Sequence, residues 1–235
     1  MTRTSRASAQ AAMSTPPTVA APAAARLRPR ASASLILIDR SGASHRVLVG
    51  RRGSAHVFMP DLYVVPGGRR DPRDHALPFA ADLHPLVLDR LKQNGRRPLS
   101  EASARALALA AARELCEETG LHLSTMPDMA PNLSCLRYIA RAVTPPGASR
   151  RFDNRFFAAF TDEAGIEAQH ATESAELSDL RWLSLDALEA VKMPEIVLAV
   201  LDDLKKSLES NRSLPFGSDV WVYTNRNGMF LRHRL

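Results

Sequence analysis

Residues 113–121 read Arg-Glu-Leu-Cys-Glu-Glu-Thr-Gly-Leu, and they place three carboxylates within nine positions. Glu114, Glu117 and Glu118 are spaced i, i+3 and i+4, so on a helix they share one face with Cβ atoms about 5–6 Å apart. Their charges repel one another, and they would lie at the negative end of the helix dipole. A divalent cation with oxygen ligands, such as Mg²⁺ or Mn²⁺, would remove that repulsion. The spacing therefore favours a metal site over a solvated acidic surface.

The acids are predicted to lie at the end of a long helix. Ser100 is a suitable N-cap and Gly120 a suitable C-terminal stop, which predicts a helix over residues 100–118. Residues 102–112 contain no acid, so the acidic cluster does not belong to a generally acidic helix. Cys116 falls outside the glutamate face and is interpreted as a small core residue rather than a nucleophile.

Strands and helices alternate along the rest of the chain. A helix is predicted over residues 85–93, and another begins at Pro194. The last two predicted strands flank Asn227-Gly228, a hairpin signal. This pattern is typical of a single α+β domain. Apolar runs bounded by turn residues predict strands at 33–39, 46–51, 63–65, 135–143, 152–160, 180–183, 220–224 and 229–234.

Charge and hydropathy exclude two classes of partner. The 235 residues include 31 Lys and Arg against 25 Asp and Glu, a formal net charge of +6. Five of the arginines lie in residues 1–38, which contain no acid, so the rest of the chain carries a net charge of +1. A basic groove for nucleic acid is therefore not indicated. No apolar run approaches the roughly 20 residues that cross a bilayer, so no membrane partner is expected.

The first 31 residues differ in composition from the rest. They are mostly Ala, Ser, Thr, Pro and Arg, and are predicted to form a disordered tail before one domain over 32–235. Cys116 and Cys135 have no metal-ligand spacing and form no disulfide framework, which indicates a reducing compartment, taken as the cytoplasm. The arginine-rich tail also resembles an organelle transit peptide, so an organelle is the alternative location.

Residues 113–121 match the second half of the Nudix box, G-x5-E-x7-R-E-U-x-E-E-x-G-U, where U is aliphatic. Pro66-Gly67-Gly68 resembles the first half, with Gly68 as the box glycine. On these motifs, residues 33–235 resemble the Nudix hydrolase superfamily. The resemblance implies an α+β fold of the α/β/α sandwich type, with a mixed sheet packed against the helix that carries the box.

The box departs from its consensus in two respects. Gly68 lies 45 residues before Arg113 instead of 14, so residues 69–99 are interpreted as an insertion of 31 residues. The first consensus glutamate, counted back from Arg113, falls on Arg105. Glu101, one helical turn earlier, is a weak substitute for it. Because the insertion joins the glycine loop to the helix, it is predicted to form a cap or wall of the substrate pocket, or a dimer contact.

Three further segments resemble a Nudix subgroup that carries a long insertion inside the box and includes coenzyme A diphosphatases. They are Phe58-Met59-Pro60, the pair Asp71 and Asp74, and residues 151–157. The resemblance suggests coenzyme A or a derivative as a substrate. ADP-sugars, dinucleotides and damaged nucleotides remain open.

The resemblance implies a metal-dependent hydrolase that cleaves the pyrophosphate of a nucleoside diphosphate linked to another group X. It makes Glu114, Glu117 and Glu118 the catalytic acids and the ligands of Mg²⁺ or Mn²⁺, with one of them as general base. The Gly68 carbonyl is expected to add a ligand, and Arg113 to pair with Glu117 and orient it. The alternative is a catalytically weak Nudix-fold module that binds a nucleotide or regulates through it. A homodimer is compatible with the family, although no residue requires one.

Four residues outside the box are candidate substrate ligands. Arg151 and Arg155 could hold a phosphate, but Asp153 shares their strand face, so a salt-bridged face is equally consistent. Glu173 and Glu176 precede a predicted strand and could add an acid to the site. For these two, the alternative is that they are solvated loop charges.

Overall fold

The structure, a computed structural model, describes residues 27–53, 60–93, 98–124, 129–226 and 229–235. Within these ranges the chain alternates between strands and helices, which confirms the predicted α+β class. In order, the elements are β1 Arg30–Asp39, β2 Arg46–Arg52, β3 Tyr63–Val64, β4 Gly67–Arg69, α1 Pro85–Gln93, α2 Glu101–Thr119, β5 Arg137–Val143, β6 Phe152–Phe160, α3 Thr161–Ala164, β7 Leu177–Ser184, α4 Glu195–Ser210, β8 Trp221–Arg226 and β9 Met229–Arg234.

The strands form one mixed sheet in the order β3-β2-β1-β6-β5-β8-β9. β1 pairs with β6 in parallel along most of its length, but it pairs with β2 only near Ile38 and Asp39. Away from that point, β4 pairs with β1 and β7 pairs with β2. The sheet thus divides into two branches, and β4 adds Gly67 and Gly68 to the branch that contains β1.

Helices cover both faces of this sheet. Leu35 and Leu37 of β1 point into the core beneath α1 and α2, whereas Ile36 and Ile38 point into the core beneath α4. Because β1 is buried on both faces, its sequence is a continuous apolar run rather than an alternating one. The result is the three-layer sandwich that the resemblance implied.

The long helix α2 lies where the sequence predicted it, within one residue at each end. The Ser100 hydroxyl accepts the backbone N–H of Ser103, and the Gly120 N–H donates to the Cys116 carbonyl. Gly120 has a φ of 67°, a left-handed conformation that glycine adopts without strain. Buried small residues between positions 104 and 112 let the helix pack closely on the sheet.

The insertion helix α1 has the predicted bounds, and it belongs to the core. Val87 and Leu91 are fully buried beside α2. The Lys92 ammonium donates to Glu101, the first residue of α2, at 3.1 Å. Glu101 lies about 25 Å along the helix from Glu118, so α1 forms no cap over the acids. The part of the insertion that approaches them is the segment before α1.

Four strands begin at other positions than the sequence predicted; β7 begins at Leu177 instead of residue 180, and β8 at Trp221 instead of residue 220. β1 starts at Arg30, within the predicted tail, of which residues 1–26 lie outside the described residues. β5 starts at Arg137 because Asn132 caps a short 3₁₀ turn over Leu133–Cys135.

The last two strands, β8 and β9, pair antiparallel as predicted. Their connection Asn227-Gly228 lies outside the described residues, as does Phe58-Met59. Across the described part of the chain, no helix combines the length and apolarity needed to span a bilayer.

Candidate active site

The acids at the end of α2 meet the glycines of β4. Glu118 accepts a hydrogen bond from the Gly67 N–H at 2.8 Å, and the residue is 3% exposed. Burial raises the pKa of Glu118 to about 8, and the charges of Glu114 and Glu176 act in the same direction. The hydrogen bond from Gly67 opposes this effect only in part. The surrounding protein therefore disfavours the charged form of Glu118.

Both glycines lie where a side chain would not fit. A Cβ atom on Gly68 would stand 2.3 Å from the carboxyl carbon of Glu114. One on Gly67 would stand 2.6 Å from the Ala33 carbonyl oxygen. The main chain can therefore approach the acids closely, as expected for the box glycine. Metal ligation by the Gly68 carbonyl stays a prediction.

Arg113 binds two of the three acids. Its Nη1 atom donates to Glu114 Oε1 at 2.9 Å and to Glu117 Oε2 at 2.8 Å. The predicted pair between Arg113 and Glu117 is thus present. Burial raises the pKa of Glu114, and the Arg113 charge opposes that shift. Arg113 consequently keeps two like charges together on the helix surface.

Arg113 has a further acidic partner, Asp74, which was not assigned to the site from the sequence. Arg113 Nε donates to Asp74 Oδ1 at 2.8 Å, and Asp74 is fully buried. It follows Gly68 by six residues, the same spacing as the first glutamate of the consensus box. Counting forward from Gly68, rather than back from Arg113, would have found it. The insertion therefore begins after this acid.

The interpretation of Arg105 as the position of a missing acid is consequently wrong. Arg105 donates from Nε to Asp82 Oδ1 at 2.9 Å and from Nη2 to Asp82 Oδ2 at 2.8 Å. It also donates to Glu101 Oε2 at 3.1 Å. Arg105 and Glu101 form an ion-pair network at the start of α2, and Asp74 is the acid that pairs with Arg113.

Of the two loop acids Glu173 and Glu176, it is Glu176 whose charge acts on the acids of the box. It contributes to the raised pKa of both Glu114 and Glu118. Glu176 lies directly before β7, so the start of that strand brings it to the site. Glu173 is exposed, and its charge is not among the largest causes of these two pKa shifts.

The two candidate arginines are engaged within the sheet. Arg155 Nη1 lies 2.9 Å from Asp153 Oδ2, and the Arg155 side chain is only 4% exposed. Arg141 holds the same carboxylate through Nε at 2.7 Å. Arg151 Nε donates to the Thr144 carbonyl at 3.1 Å. Asp153 thus forms the salt-bridged face that the sequence left open as the alternative, and phosphate binding by either arginine stays a prediction.

Cys116 is not the core residue that the sequence suggested. It is partly exposed, and its Sγ lies 3.6 Å from Nε2 of His122. Burial and the charge of Glu117 raise the pKa of its thiol, which makes it a weak nucleophile at neutral pH. Cys135 is the buried cysteine, with a pKa raised to about 11 by desolvation.

The donor set suits a hard divalent cation, although the acids do not form a closed cage. Within the described ranges, no three acidic, histidine or cysteine side chains converge as a ready-made metal site. Arg113 instead holds Glu114 and Glu117, while Glu118 is bonded to Gly67. Carboxylate oxygens are the ligands that Mg²⁺ and Mn²⁺ prefer. A cation would also compensate the unfavourable charge of the buried Glu118.

Comparisons with known proteins agree with this geometry. Residues 101–204 match the family model of the NUDIX domain. A Nudix hydrolase from Alicyclobacillus acidocaldarius is 26% identical, with a TM-score of 0.53 over 74% of this chain and 90% of that one. A search of curated proteins found no match.

More distant solved structures align over similar lengths. The NUDIX domain of Shewanella oneidensis NrtR, complexed with ADP-ribose, is 15% identical, with a TM-score of 0.48 over 77% of this chain and 90% of that one. An Ap4A hydrolase from C. elegans is 13% identical, with a TM-score of 0.45 over 77% of this chain and 98% of that one. The family match, the box residues and the fold shared with the A. acidocaldarius enzyme agree with one another. Residues 101–204 of this chain therefore match the NUDIX domain, and the chain shares the fold of a Nudix hydrolase.

Proposed function

We propose that this protein is a metal-dependent pyrophosphohydrolase that cleaves a nucleoside diphosphate linked to another group X. The observation that carries the proposal is the packing of the α2 acids against Gly67 and Gly68, with Glu118 buried and its pKa raised to about 8. A buried carboxylate beside two further acids is a costly arrangement unless a cation binds there, because the Gly67 N–H and the charge of Arg52 compensate it only in part. Perturbed acids of this kind are typical of functional sites.

Glu114, Glu117 and Glu118 are the residues that would hold Mg²⁺ or Mn²⁺, with the Gly68 carbonyl as a further ligand. When bound, such an ion neutralises phosphoryl oxygens and lowers the pKa of coordinated water. The absence of a side chain at position 68 lets the Glu114 carboxylate pack directly against the main chain of the glycine loop. The acids and glycines thus position the pyrophosphate for attack by water.

The attacking water must give up a proton, and two acids of the site are suited to accept it. Arg113 is bonded to Glu114 and Glu117, so their basicity is reduced by its charge. Glu118 accepts a backbone N–H instead of a guanidinium among the described residues, with the charge of Arg52 as a weaker influence, and Glu176 acts on it from the segment directly before β7. We therefore assign the general base to Glu118 or Glu176. The raised pKa of Glu118, near the working pH, suits that role.

The group X is proposed from sequence resemblance. The subgroup with a long insertion in the box includes coenzyme A diphosphatases, which favours coenzyme A or a derivative. The C. elegans enzyme acts on Ap4A, and the S. oneidensis domain binds ADP-ribose. Dinucleotides and ADP-sugars therefore belong in the same test.

The proposal is tested by phosphorus NMR of reactions with coenzyme A, ADP-ribose, NADH, diadenosine polyphosphates and nucleoside triphosphates, each with Mg²⁺ or Mn²⁺. We expect one class to be cleaved at its pyrophosphate, which gives two phosphate monoesters from coenzyme A, ADP-ribose or NADH, with the rate reduced about 100-fold or more in Glu118→Gln. Glu173→Gln, which alters an exposed acid, is the matched control and should retain the rate. If folded, cation-supplied protein cleaves none of them, the hydrolase proposal fails and the nucleotide-binding module replaces it.

A further inference from the structure

An open cleft of about 280 Å³ lies on the outer side of α2, beside the acids. The insertion forms one wall, the helix forms the floor, and the segment that follows α2 forms the opposite wall. The residues that matter for its chemistry are Leu77, Ala112, Arg113, Cys116, His122 and Met129.

Carbon atoms dominate the surface of this cleft. Leu77 is 37% exposed and Met129 is 53% exposed, so large apolar side chains face solvent at its rim. Its polar groups are Arg113, Ser124 and the pair of Cys116 and His122, and no acid lines it among the described residues. Contiguous exposed apolar surface of this kind is typical of a binding site.

The cleft is continuous with the catalytic acids through Arg113. That residue lines the cleft, while its guanidinium donates to Glu114 and Glu117 at 2.9 and 2.8 Å. Ala112 and Cys116 are one helical turn apart, and they lie beside the row formed by Arg113 and Glu117. A ligand with its pyrophosphate at the acids can therefore extend across Arg113 into the cleft.

The size of the cleft limits what it can hold. A volume of about 280 Å³ lies at the lower end of ligand pockets, so it suits a small group rather than a whole nucleotide. We propose that the cleft is a subsite for an uncharged alkyl or acyl arm of the group X. This inference rests on the proposed function for the position of the pyrophosphate. It makes the segment of the insertion around Leu77 a determinant of substrate choice.

The first test measures affinity along a series of ligands by calorimetry. The probes are methyl, butyl and hexyl esters on the β-phosphate of α,β-methylene-ADP, which cannot be cleaved between the phosphates. Each added methylene should raise the affinity about 3–4-fold until the cleft is full. Wild-type protein with equal affinity for the three esters would overturn the proposal.

Variants of the cleft test whether the dependence of affinity on chain length arises there. Ala130 lines the cleft, so Ala130→Phe should fill it and flatten the chain-length dependence. Ala102→Phe makes the same change at an exposed position near the start of α2 and should keep the full dependence. Leu77→Ser, at an exposed position, removes apolar wall and should weaken the hexyl ester most. Full chain-length dependence in all three variants would show that the arm binds elsewhere.

The thiol of Cys116 gives a second readout in the wild-type protein. Cys116 lines the cleft and is partly exposed, whereas Cys135 is buried, so N-ethylmaleimide at pH 8.5 should label Cys116 first. The hexyl ester should slow this labelling several-fold, and the methyl ester should not. Equal labelling rates with both esters bound would count against the subsite.

Failure of this inference is distinguishable from failure of the proposed function. The methylene analogues report binding alone, and the corresponding cleavable ADP esters report hydrolysis. Hydrolysis without chain-length dependence would overturn the subsite and leave the hydrolase. Chain-length dependence without hydrolysis of any ester would keep the subsite and overturn the hydrolase.

Discussion

Glu118 is a buried carboxylate that the metal-free protein stabilises poorly in its charged form. Its pKa is raised from 4.5 to about 8 in the folded state, chiefly by burial. Between these two pH values the folded protein binds more protons at this site than the unfolded chain does. By linkage, the contribution of Glu118 to the free energy of unfolding falls as pH rises from about 4.5 to about 8.

The variant Glu118→Gln removes that titration while it keeps the shape of the side chain. In EDTA at pH 8.5 we expect it to be more stable than wild type by about 1–3 kcal/mol, and at pH 4.5 to lose this advantage. Urea unfolding at both pH values measures the difference. If Glu118→Gln were stabilised equally at both pH values, or if Glu173→Gln were stabilised by the same amount, the raised pKa would not belong to Glu118.

Asp74 is the buried counter-ion of Arg113, so its removal should affect both stability and rate. Asp74→Asn leaves the Arg113 guanidinium without that charge and should lower the free energy of unfolding by about 2–4 kcal/mol. Because Arg113 also orients Glu114 and Glu117, we expect kcat to fall about 10–100-fold. Urea unfolding and steady-state kinetics measure the two effects.

The matched control is Asp82→Asn, which breaks a similar pair with Arg105 at the other end of α2. Asp82 is 37% exposed in its side chain, so its loss should cost no more than about 1 kcal/mol and leave kcat unchanged. If both variants reduced kcat equally, the effect of Asp74 would be general destabilisation rather than orientation of the acids.

Local signals predicted some residues of the site and missed others. The acidic face of Glu114, Glu117 and Glu118 is visible in the sequence because helical spacing alone determines it. Asp74 reaches Arg113 across the insertion, and periodicity carries no information about such a pair. Only the spacing from Gly68 indicates it.

Among the elements, those with both a periodic apolar pattern and clear end signals were predicted best. The bounds of α1, β6 and β9 are those predicted from the sequence. Those of α2 agree within one residue, because Ser100 and Gly120 cap the helix. β4 was not predicted as a strand, since two of its three residues are glycines, which are poor strand formers. It forms because the first part of β1 does not pair with β2 and therefore offers a free edge, to which β4 pairs.

The insertion helix α1 contributes to stability rather than to catalysis. Leu91 is fully buried, so Leu91→Ala should lower the free energy of unfolding by about 2–4 kcal/mol. KM and kcat should stay within twofold, because α1 lies at the far end of α2 from the acids. Leu86→Ala, at a residue 50% exposed on the same helix, should change stability by no more than about 0.5 kcal/mol. A changed substrate preference in Leu91→Ala would instead make α1 part of the pocket.

In the whole molecule, the site assembles from three segments that are far apart in sequence. β4 supplies Gly67 and Gly68, the end of α2 supplies the acids, and the start of β7 brings Glu176. The division of the sheet between β1 and β2 places these segments together. Sequence patterns indicated the fold class and the family. They did not indicate which loop acid approaches the site, because that depends on the pairing of β7 with β2.

The central claim is that the acids of α2 hold a divalent cation, and Mn²⁺ binding tests it most directly. Loss of the signal of free Mn²⁺ in electron paramagnetic resonance reports binding without any choice of substrate. We expect wild type to bind Mn²⁺ at least about tenfold more tightly than Glu118→Gln, with Glu173→Gln like wild type. Equal Mn²⁺ affinity in all three proteins, or no binding at all, would contradict the claim.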